Sequence, residues 1–124
     1  MSTSMPSDCV DGLLDLRIKL RAFAAARDWD QFHSPKNLAI ALSVEASELL
    51  EHFQWMSETE SGSLPPSTLN QVREEMADVL LYLVQLADKL DVDLLDAAAR
   101  KLEINANKYP AEIVRGSSKK YTER

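Results

Sequence analysis

Two pairs of acidic residues have a spacing that could do chemistry in this sequence of 124 residues. Glu45 and Glu48 form an E-x-x-E pair, and Glu75 and Asp78 form an E-x-x-D pair. Residues three apart on a helix are surface neighbours, with β-carbons about 5–6 Å apart. If both segments are helical, each pair therefore presents two carboxylates to one place, as an oxygen-ligand metal site requires.

Both acidic pairs lie beside the apolar stripe of their predicted helix. With about 100° of rotation per residue and the first glutamate of each pair at zero, apolar residues fall between about +20° and +80°. The second acid falls at about −60° in both helices. The stripes comprise Leu38, Leu42, Leu49 and Phe53 in the first segment, and Val79, Leu83, Leu86 and Leu90 in the second. We therefore expect both pairs at the edge of the core, on the same side.

Four carboxylates at a helix interface would repel one another, and their burial costs several kcal/mol per ion unless a cation compensates. Because there is no cysteine cluster and an all-oxygen set favours hard ions, we predict Mg²⁺, with Mn²⁺ as a substitute. A di-iron carboxylate bundle is not indicated, since neither His33 nor His52 has a glutamate three residues before it. The alternative is that these are surface acids that pair with Arg73 and Lys89.

The rest of the sequence predicts the helices that position these acids. Apolar periodicity and capping residues predict helices over 13–28, from the N-cap Ser34 to about Trp55, over 68–90, and from the cap Asp93 to before Pro110. The stretch "SETESGSLPPST" joins the second helix to the third, and its composition predicts a mobile connection that cannot sustain a helix. Four helices with short connections predict an all-α, four-helix bundle-like subunit.

The length fits one domain. We divide the chain into a flexible N-terminus over 1–12, an all-α domain over 13–110, and a basic C-terminal tail over 111–124 with Gly116 as a hinge. Within the third predicted helix, "VLLYLVQLADKL" is apolar around most of its circumference, which is more surface than one small bundle can cover. We therefore expect a homo-oligomer, a dimer or a tetramer with the tetramer favoured, in which this helix is central.

The composition argues against several classes of function. Acidic residues outnumber basic ones by 20 to 14, and this net charge of −6 disfavours binding to nucleic acid or anionic lipid. The single Cys9 allows no internal disulfide, and the polar start "MSTSMPSD" lacks the features of a signal peptide. No apolar run approaches the roughly 20 residues that cross a bilayer. We expect a cytoplasmic protein with no nucleic-acid or membrane partner.

Three ordered motifs carry a family resemblance. The segments "VEASELLEHFQW", "EEMADVLLYLV" and "KLEINANKYP" resemble the MazG-like nucleotide pyrophosphohydrolases of the all-α NTP pyrophosphatase superfamily. The dCTP pyrophosphatase branch is also recognisable in "RDWDQFHSPKNL" and "RGSSKKYTE". The similarity runs from about Leu16 to Glu123, which is nearly the entire chain.

The resemblance implies a Mg²⁺-dependent enzyme that cleaves a nucleoside triphosphate between its α and β phosphates and releases pyrophosphate. It implies metal ligands at Glu45, Glu48, Glu75 and Asp78. It implies a base held by Trp29, Trp55 and Tyr82, and phosphates met by Lys101, Asn105, Lys108 and Tyr109. Members form dimers or tetramers with active sites near subunit boundaries. Leu20 is a departure, because related members carry a histidine near the base there, and it leaves the base preference open.

The residues themselves leave alternatives open. Tyr82 falls between Glu75 and Asp78 in helical angle and can border a bound substrate, although a tyrosine at the edge of a core is common. The two tryptophans lie at ends of predicted helices, where they can stack on a base or cap the core. The basic residues of the last helix can clamp phosphates or form an ordinary solvated helix end. Lys119 and Lys120 in the tail can close over phosphates or merely solubilise it.

The hypothesis is that the four carboxylates hold Mg²⁺ against a triphosphate and lower the pKa of an attacking water, with Glu48 as the first candidate for the base. A deoxycytidine or related pyrimidine nucleotide is the favoured substrate, and the family is associated with removing surplus or damaged nucleotides. The alternative from another class is a non-catalytic helical module that oligomerises and binds a partner. A phosphatase of another specificity would release orthophosphate instead of pyrophosphate.

Overall fold

A computed structural model describes residues 12–117, and every regular element over that range is helical. The helices are α1 (Leu13–Ala26), α2 (Pro35–Glu51), α3 (Glu58–Ser61), α4 (Pro66–Lys89), α5 (Leu94–Lys108) and α6 (Ala111–Val114), with a 3₁₀ turn at Asp30–Phe32. The prediction of an all-α protein is confirmed. No helix in the described range combines the length and the apolar character that crossing a membrane requires.

The chain divides into two compact units, the first ending at Val92 and the second beginning at Asp93. In the first unit, α4 packs along α2 and, over a shorter interface, against α1. Its buried apolar core is small and consists of Ala24, Leu38, Val72, Val84 and Ala87. The second unit comprises α5 and α6, and neither helix has a buried residue. The pairing of α2 with α4 is what positions the acidic pairs.

Side-chain caps begin two of the long helices, as the sequence predicts. The Ser34 hydroxyl accepts from the backbone N–H of Asn37 at 3.1 Å, and Pro35 takes the first position of α2. Proline suits that position because its missing N–H would have no helical partner there. The Asp93 carboxylate accepts from the N–H of Asp96 at 3.0 Å and starts α5. These starts are predictable because the cap lies within three residues of the helix.

Two aspartates in the left-handed conformation end α1 and α4. Asp28 has φ 52° and Asp91 has φ 55°. In each case the N–H of the next residue returns to a helix carbonyl five residues earlier, from Trp29 to Ala24 at 2.9 Å and from Val92 to Ala87 at 2.8 Å. This is the Schellman arrangement, which glycine usually makes. The reversal after α1 fixes where Trp29 enters the first unit.

Several predicted boundaries are wrong. The second helix ends at Glu51, and residues 52–55 form turns instead of continuing to Trp55. The predicted structureless connection contains α3, because the Ser57 hydroxyl accepts from the Glu60 N–H and the Glu60 carboxylate accepts from the Ser57 N–H. This capping box gives hydrogen-bond partners to the backbone N–H groups of Ser57 and Glu60, and so stabilises one helical turn. A further single turn, α6, lies in the predicted tail, so the described chain has two one-turn helices in addition to the four predicted ones.

The predicted apolar stripe is more fully buried on α2 than on α4. Leu38 is 1% exposed, whereas Leu83 is 37% exposed and Leu90 is 55% exposed. Helical angle alone does not tell which side of a helix its neighbours cover, and α4 instead buries Val72, Val84 and Ala87. Met76 and Leu80 are also exposed, and they form an apolar strip along α4 that residues 12–117 leave uncovered.

Candidate metal centre and adjoining cavity

Three glutamates from two helices meet in the first unit. Helix α2 supplies Glu45 and Glu48 on successive turns, and α4 supplies Glu75. One carboxylate oxygen from each lies within 4.8 Å of the others, and all three residues are half-buried. Because carboxylate oxygens are the ligands of hard divalent cations, these three side chains could hold such an ion.

Two oxygens of this cluster are buried without a hydrogen-bond partner. They are Oε2 of Glu45 and Oε2 of Glu75. A buried carboxylate oxygen that makes no hydrogen bond costs free energy unless a proton or a cation compensates. The donor set therefore fits a bound divalent cation.

The electrostatics of the cluster converge on Glu45. The pKa of Glu45 is raised to about 7. The largest cause is the hydrogen bond that its protonated form makes to Glu48, followed by its burial and by the charge of Glu48. A hydrogen bond to Glu75 and the charge of Asp78 raise it further. Each of these causes disfavours the ionised carboxylate. Without a metal, Glu45 thus keeps its proton well above its ordinary pKa range, and a bound cation would favour its ionised form.

The surface-acid alternative predicted Arg73 and Lys89 as partners of these carboxylates. Arg73 instead donates to the side-chain oxygen of Asn70 at 2.6 Å, and Lys89 pairs with Asp30. Within residues 12–117, no lysine or arginine forms an ion pair with any carboxylate of the two acidic pairs. The absence of these ion pairs removes the main support for the alternative.

A cavity of about 330 Å³ adjoins the cluster in the same unit. Asp78 lines this cavity, and its charge raises the pKa of Glu45. Asp78 therefore connects the cavity with the glutamate cluster. Asp78 does not belong to the group of three close carboxylate oxygens. The structure thus brings three of the four predicted ligands together and places the fourth at the cavity wall.

Two of the predicted base-binding aromatics line this cavity. Tyr82 enters from α4 and Trp29 from the segment after α1, where its ring meets the edge of Phe23 at a centroid distance of 5.7 Å. Trp55 does not line it and is 89% exposed. It follows the end of α2, and its role at the base stays a prediction.

Sequence reasoning missed most of the cavity wall. Lys19, His33 and Gln85 add polar groups, and the apolar remainder comprises Leu16, Leu20, Phe23 and Leu81. Gln85 lies three residues after Tyr82 and seven after Asp78 on α4, so helical spacing could have indicated it. Lys19 offers no such signal, because only the packing of α1 against α4 brings it near. Leu20, where the family resemblance implies a histidine near the base, is part of the wall.

The predicted phosphate-binding residues belong to the second unit. Lys101, Asn105 and Lys108 lie on α5, and Tyr109 follows it. The Tyr109 N–H donates to the Asn105 carbonyl at 2.8 Å, which closes the last turn of the helix. Their contact with phosphates stays a prediction. Lys119 and Lys120 lie outside the described residues.

Comparison with known proteins identifies the family of this chain. The sequence profile of the MazG-like family matches residues 40–123, and the chain belongs to this family. The dCTP pyrophosphatase 1 proteins of mouse and human are each 48% identical to it over 113 residues, which is 90% of this chain and 66% of theirs. The chain thus spans about two thirds of the length of these relatives.

A solved structure supports the same assignment. A pyrophosphatase from Archaeoglobus fulgidus is 41% identical, with a TM-score of 0.76 over 82% of this chain and 95% of that one. The bovine dCTP pyrophosphatase 1 is 44% identical over 113 residues. The predicted resemblance to the dCTP pyrophosphatase branch is therefore confirmed.

Proposed function

We propose that this protein is a Mg²⁺-dependent nucleoside triphosphate pyrophosphohydrolase, with dCTP or a related pyrimidine nucleotide as the favoured substrate. The observation that carries the proposal is the glutamate cluster beside the cavity, in which buried oxygens of Glu45 and Glu75 have no hydrogen-bond partner. Asp78 joins the cluster to the cavity wall. The curated relatives are named dCTP pyrophosphatases, which supports the substrate class.

The metal would be held by Glu45, Glu48, Glu75 and Asp78. A divalent ion bound there supplies a Lewis acid, which lowers the pKa of a bound water and neutralises charge on the phosphates. Mn²⁺ can substitute because it accepts the same oxygen ligands. The half-buried position of the carboxylates limits competing water and strengthens these electrostatic effects.

The chain's own residues bind and orient the substrate. Trp29 and Tyr82 hold the base in the cavity, since a flat aromatic wall stacks on any base. Glu48 accepts the proton of the water that attacks the α-phosphate, because a carboxylate of the cluster can act as a general base there. For Lys101, Asn105, Lys108 and Tyr109 the role in this proposal is phosphate binding, as the family resemblance implies.

The active unit in this proposal is a homo-oligomer, a dimer or a tetramer with the tetramer favoured. Its support is the exposed apolar strip on α4, together with the almost fully exposed Trp55. An indole so exposed in one chain gains a partner surface on assembly. We assign Trp55 to the base-binding wall of that assembly, which acts in the cytoplasm on the nucleotide pool.

The proposal is tested by pyrophosphate release from a panel of canonical and modified NTPs and dNTPs with Mg²⁺. We expect pyrophosphate from deoxycytidine triphosphates, with no release after chelation. Glu48→Gln should lower kcat by about a hundredfold or more, since it removes both a ligand and the base. Glu51→Gln, the same change at an exposed glutamate of α2, should leave kcat unchanged.

Two outcomes would contradict the proposal. Orthophosphate as the product would place the cleavage elsewhere in the triphosphate. No Mg²⁺-dependent turnover of any nucleotide, with Glu48→Gln behaving like the wild type, would favour the non-catalytic oligomerisation module instead.

A further inference from the structure

Gln85 is a polar cavity residue that the proposed function leaves without a role. It lies on α4, is half-buried, and lines the cavity together with Asp78 and Tyr82. Its uncharged carboxamide carries both a hydrogen-bond donor and an acceptor, and such groups fix the orientation and identity of a ligand in an otherwise apolar site.

A backbone contact fixes the orientation of this carboxamide. Nε2 of Gln85 donates to the carbonyl of Leu81 at 3.3 Å. Among residues 12–117, no hydrogen bond to Oε1 of Gln85 is found. One of the two N–H donors of the amide is thus engaged by its own helix, while the carbonyl oxygen remains able to accept a hydrogen bond from a ligand.

The position of Gln85 matches one edge of a bound nucleotide. Gln85 follows Asp78 by seven residues, which is about 10 Å along the helix axis and nearly the same angular position. That length is comparable to the distance between the α-phosphate of a pyrimidine nucleotide and the 4-position of its base. A nucleotide with its phosphates at the carboxylates and its base against Tyr82 therefore presents its 4-position to Gln85.

We infer that Gln85 selects the 4-amino group of cytosine over the 4-keto group of uracil, an inference that rests on the proposed function. The cytosine N4 amino group donates to Oε1 of Gln85, whereas uracil O4 would place two acceptors against each other with no proton between them. A buried pair of facing acceptors costs free energy, so uracil is penalised instead of merely losing a contact.

The rest of the cavity agrees with this selection. Its volume of about 330 Å³ lies within the range for small-molecule sites, about 300–1,000 Å³, and accommodates a base. Leucine and phenylalanine side chains of the wall supply no competing acceptor. Lys19 carries only donors, which suit the 2-carbonyl that cytosine and uracil share, and the His33 ring can donate or accept and so favours neither base. Gln85 is therefore the wall residue whose held carbonyl oxygen separates the two bases.

The experiment compares Gln85→Met with Asn70→Leu. Both replace a carboxamide on α4 by an apolar side chain of similar shape, but Asn70 is exposed and does not line the cavity. Dissociation constants for dCMP and dUMP are measured by calorimetry, and kcat/KM for dCTP and dUTP by pyrophosphate release. Circular dichroism confirms that each variant is folded.

We expect wild type and Asn70→Leu to bind dCMP more tightly than dUMP. Gln85→Met should weaken dCMP binding about tenfold, the order of one hydrogen bond, and should tighten dUMP binding, because the acceptor that faces uracil O4 is gone. The ratio of kcat/KM for dCTP to that for dUTP should therefore fall by about tenfold or more. Gln85→Glu keeps an acceptor at this position and should retain the preference for dCMP over dUMP, which a purely packing role would not predict.

An unchanged preference in Gln85→Met, or a wild type that favours dUMP or binds neither monophosphate, would overturn the inference. If the monophosphates are discriminated as expected but no triphosphate is hydrolysed, the role of Gln85 is supported and the proposed pyrophosphohydrolase is wrong. If hydrolysis occurs with the same base preference in Gln85→Met and wild type, the proposed function stands and the role of Gln85 fails.

Discussion

Glu45 is the residue whose surroundings most oppose its ionised form. Without a metal, its carboxylate faces Glu48, Glu75 and the charge of Asp78. Its pKa in the folded chain, about 7, lies above its ordinary value of 4.5. For a raised carboxyl pKa, the stabilising contribution is full below the ordinary value and is lost as the pH rises through the folded value. The metal-free protein therefore loses stability as the pH rises from 4.5 to about 7.

Replacing Glu45 by glutamine should stabilise the metal-free protein at pH 8. The amide removes the charge that the cluster repels, and the gain should be of the order of 1 kcal/mol after solvent screening. At pH 5 Glu45 is largely protonated already in the folded protein, so the gain should disappear. Thermal denaturation with EDTA at both pH values measures the difference.

The matched control for this prediction is Glu51→Gln on the same helix. Glu51 is exposed, so its replacement should not change the melting temperature at either pH. Adding Mg²⁺ should reverse the order of wild type and Glu45→Gln, because only the wild type keeps the full ligand set. Equal stability of the two proteins in EDTA at pH 8 would show that the carboxylates do not repel.

The site residues differ in how well the sequence predicts them. Spacing alone pairs Glu45 with Glu48. Because the second acidic pair lies beside an apolar stripe in the same way, the sequence also predicted that the two pairs meet across the two helices. Lys19 could not be found, since it reaches the cavity only through the packing of α1 on α4. Trp55 was assigned to the base from resemblance, and a single chain leaves it exposed.

At the scale of helices, starts are more predictable than ends. Ser34 and Asp93 cap their helices through their own side chains, so their residue type carries the signal. The ends at Asp28 and Asp91 depend on a left-handed backbone at a residue that tolerates it less readily than glycine. Helix α3 was missed because loop composition outweighed the capping box begun by Ser57.

An ion pair between an exposed arginine and a half-buried aspartate joins α1 to α4. Arg21 donates to Asp88 through Nε at 2.8 Å and through Nη2 at 2.5 Å, and Arg17 approaches the same carboxylate at 3.9 Å. The hydrogen bonds from Arg21, opposed by burial and aided by the nearby charges, hold the pKa of Asp88 below its ordinary value of 3.8. This contribution to stability is therefore full above pH 3.8 and is lost as the pH falls through the lowered value.

Asp88→Asn should destabilise the protein at pH 7 by about 1 kcal/mol, since the bidentate contact and its charge are lost. The difference from wild type should shrink as the pH is lowered below 3.8. Urea denaturation at a series of pH values measures both effects. Asp96→Asn, which breaks the exposed pair with Arg100 on α5, should have a smaller effect. A pH-independent difference for Asp88→Asn would show that packing, and not charge, is responsible.

At the scale of the molecule, residues 12–117 bury few of their apolar side chains. Only five hydrophobic residues of the described chain are buried, whereas Met76, Leu80 and Leu83 lie exposed along one side of α4. Stable protein interfaces bury about 1,200–2,000 Å² in total, and an apolar strip along a helix of 24 residues is a suitable centre for one. This surface is the physical support for the proposed homo-oligomer.

Leu80→Glu should convert the oligomer to smaller species, because a charge at the centre of an apolar interface is left desolvated and unpaired. Light scattering coupled to size-exclusion chromatography measures the mass, and we expect the melting temperature of the wild type alone to rise with protein concentration. Ser67→Glu adds the same charge at an exposed position of α4 and should leave the mass unchanged. Leu80 does not line the cavity, so monomeric Leu80→Glu that retains nucleotide turnover would separate assembly from catalysis. A wild type that remains monomeric at all concentrations would rule out the proposed assembly, and with it the assignment of Trp55 to the base-binding wall.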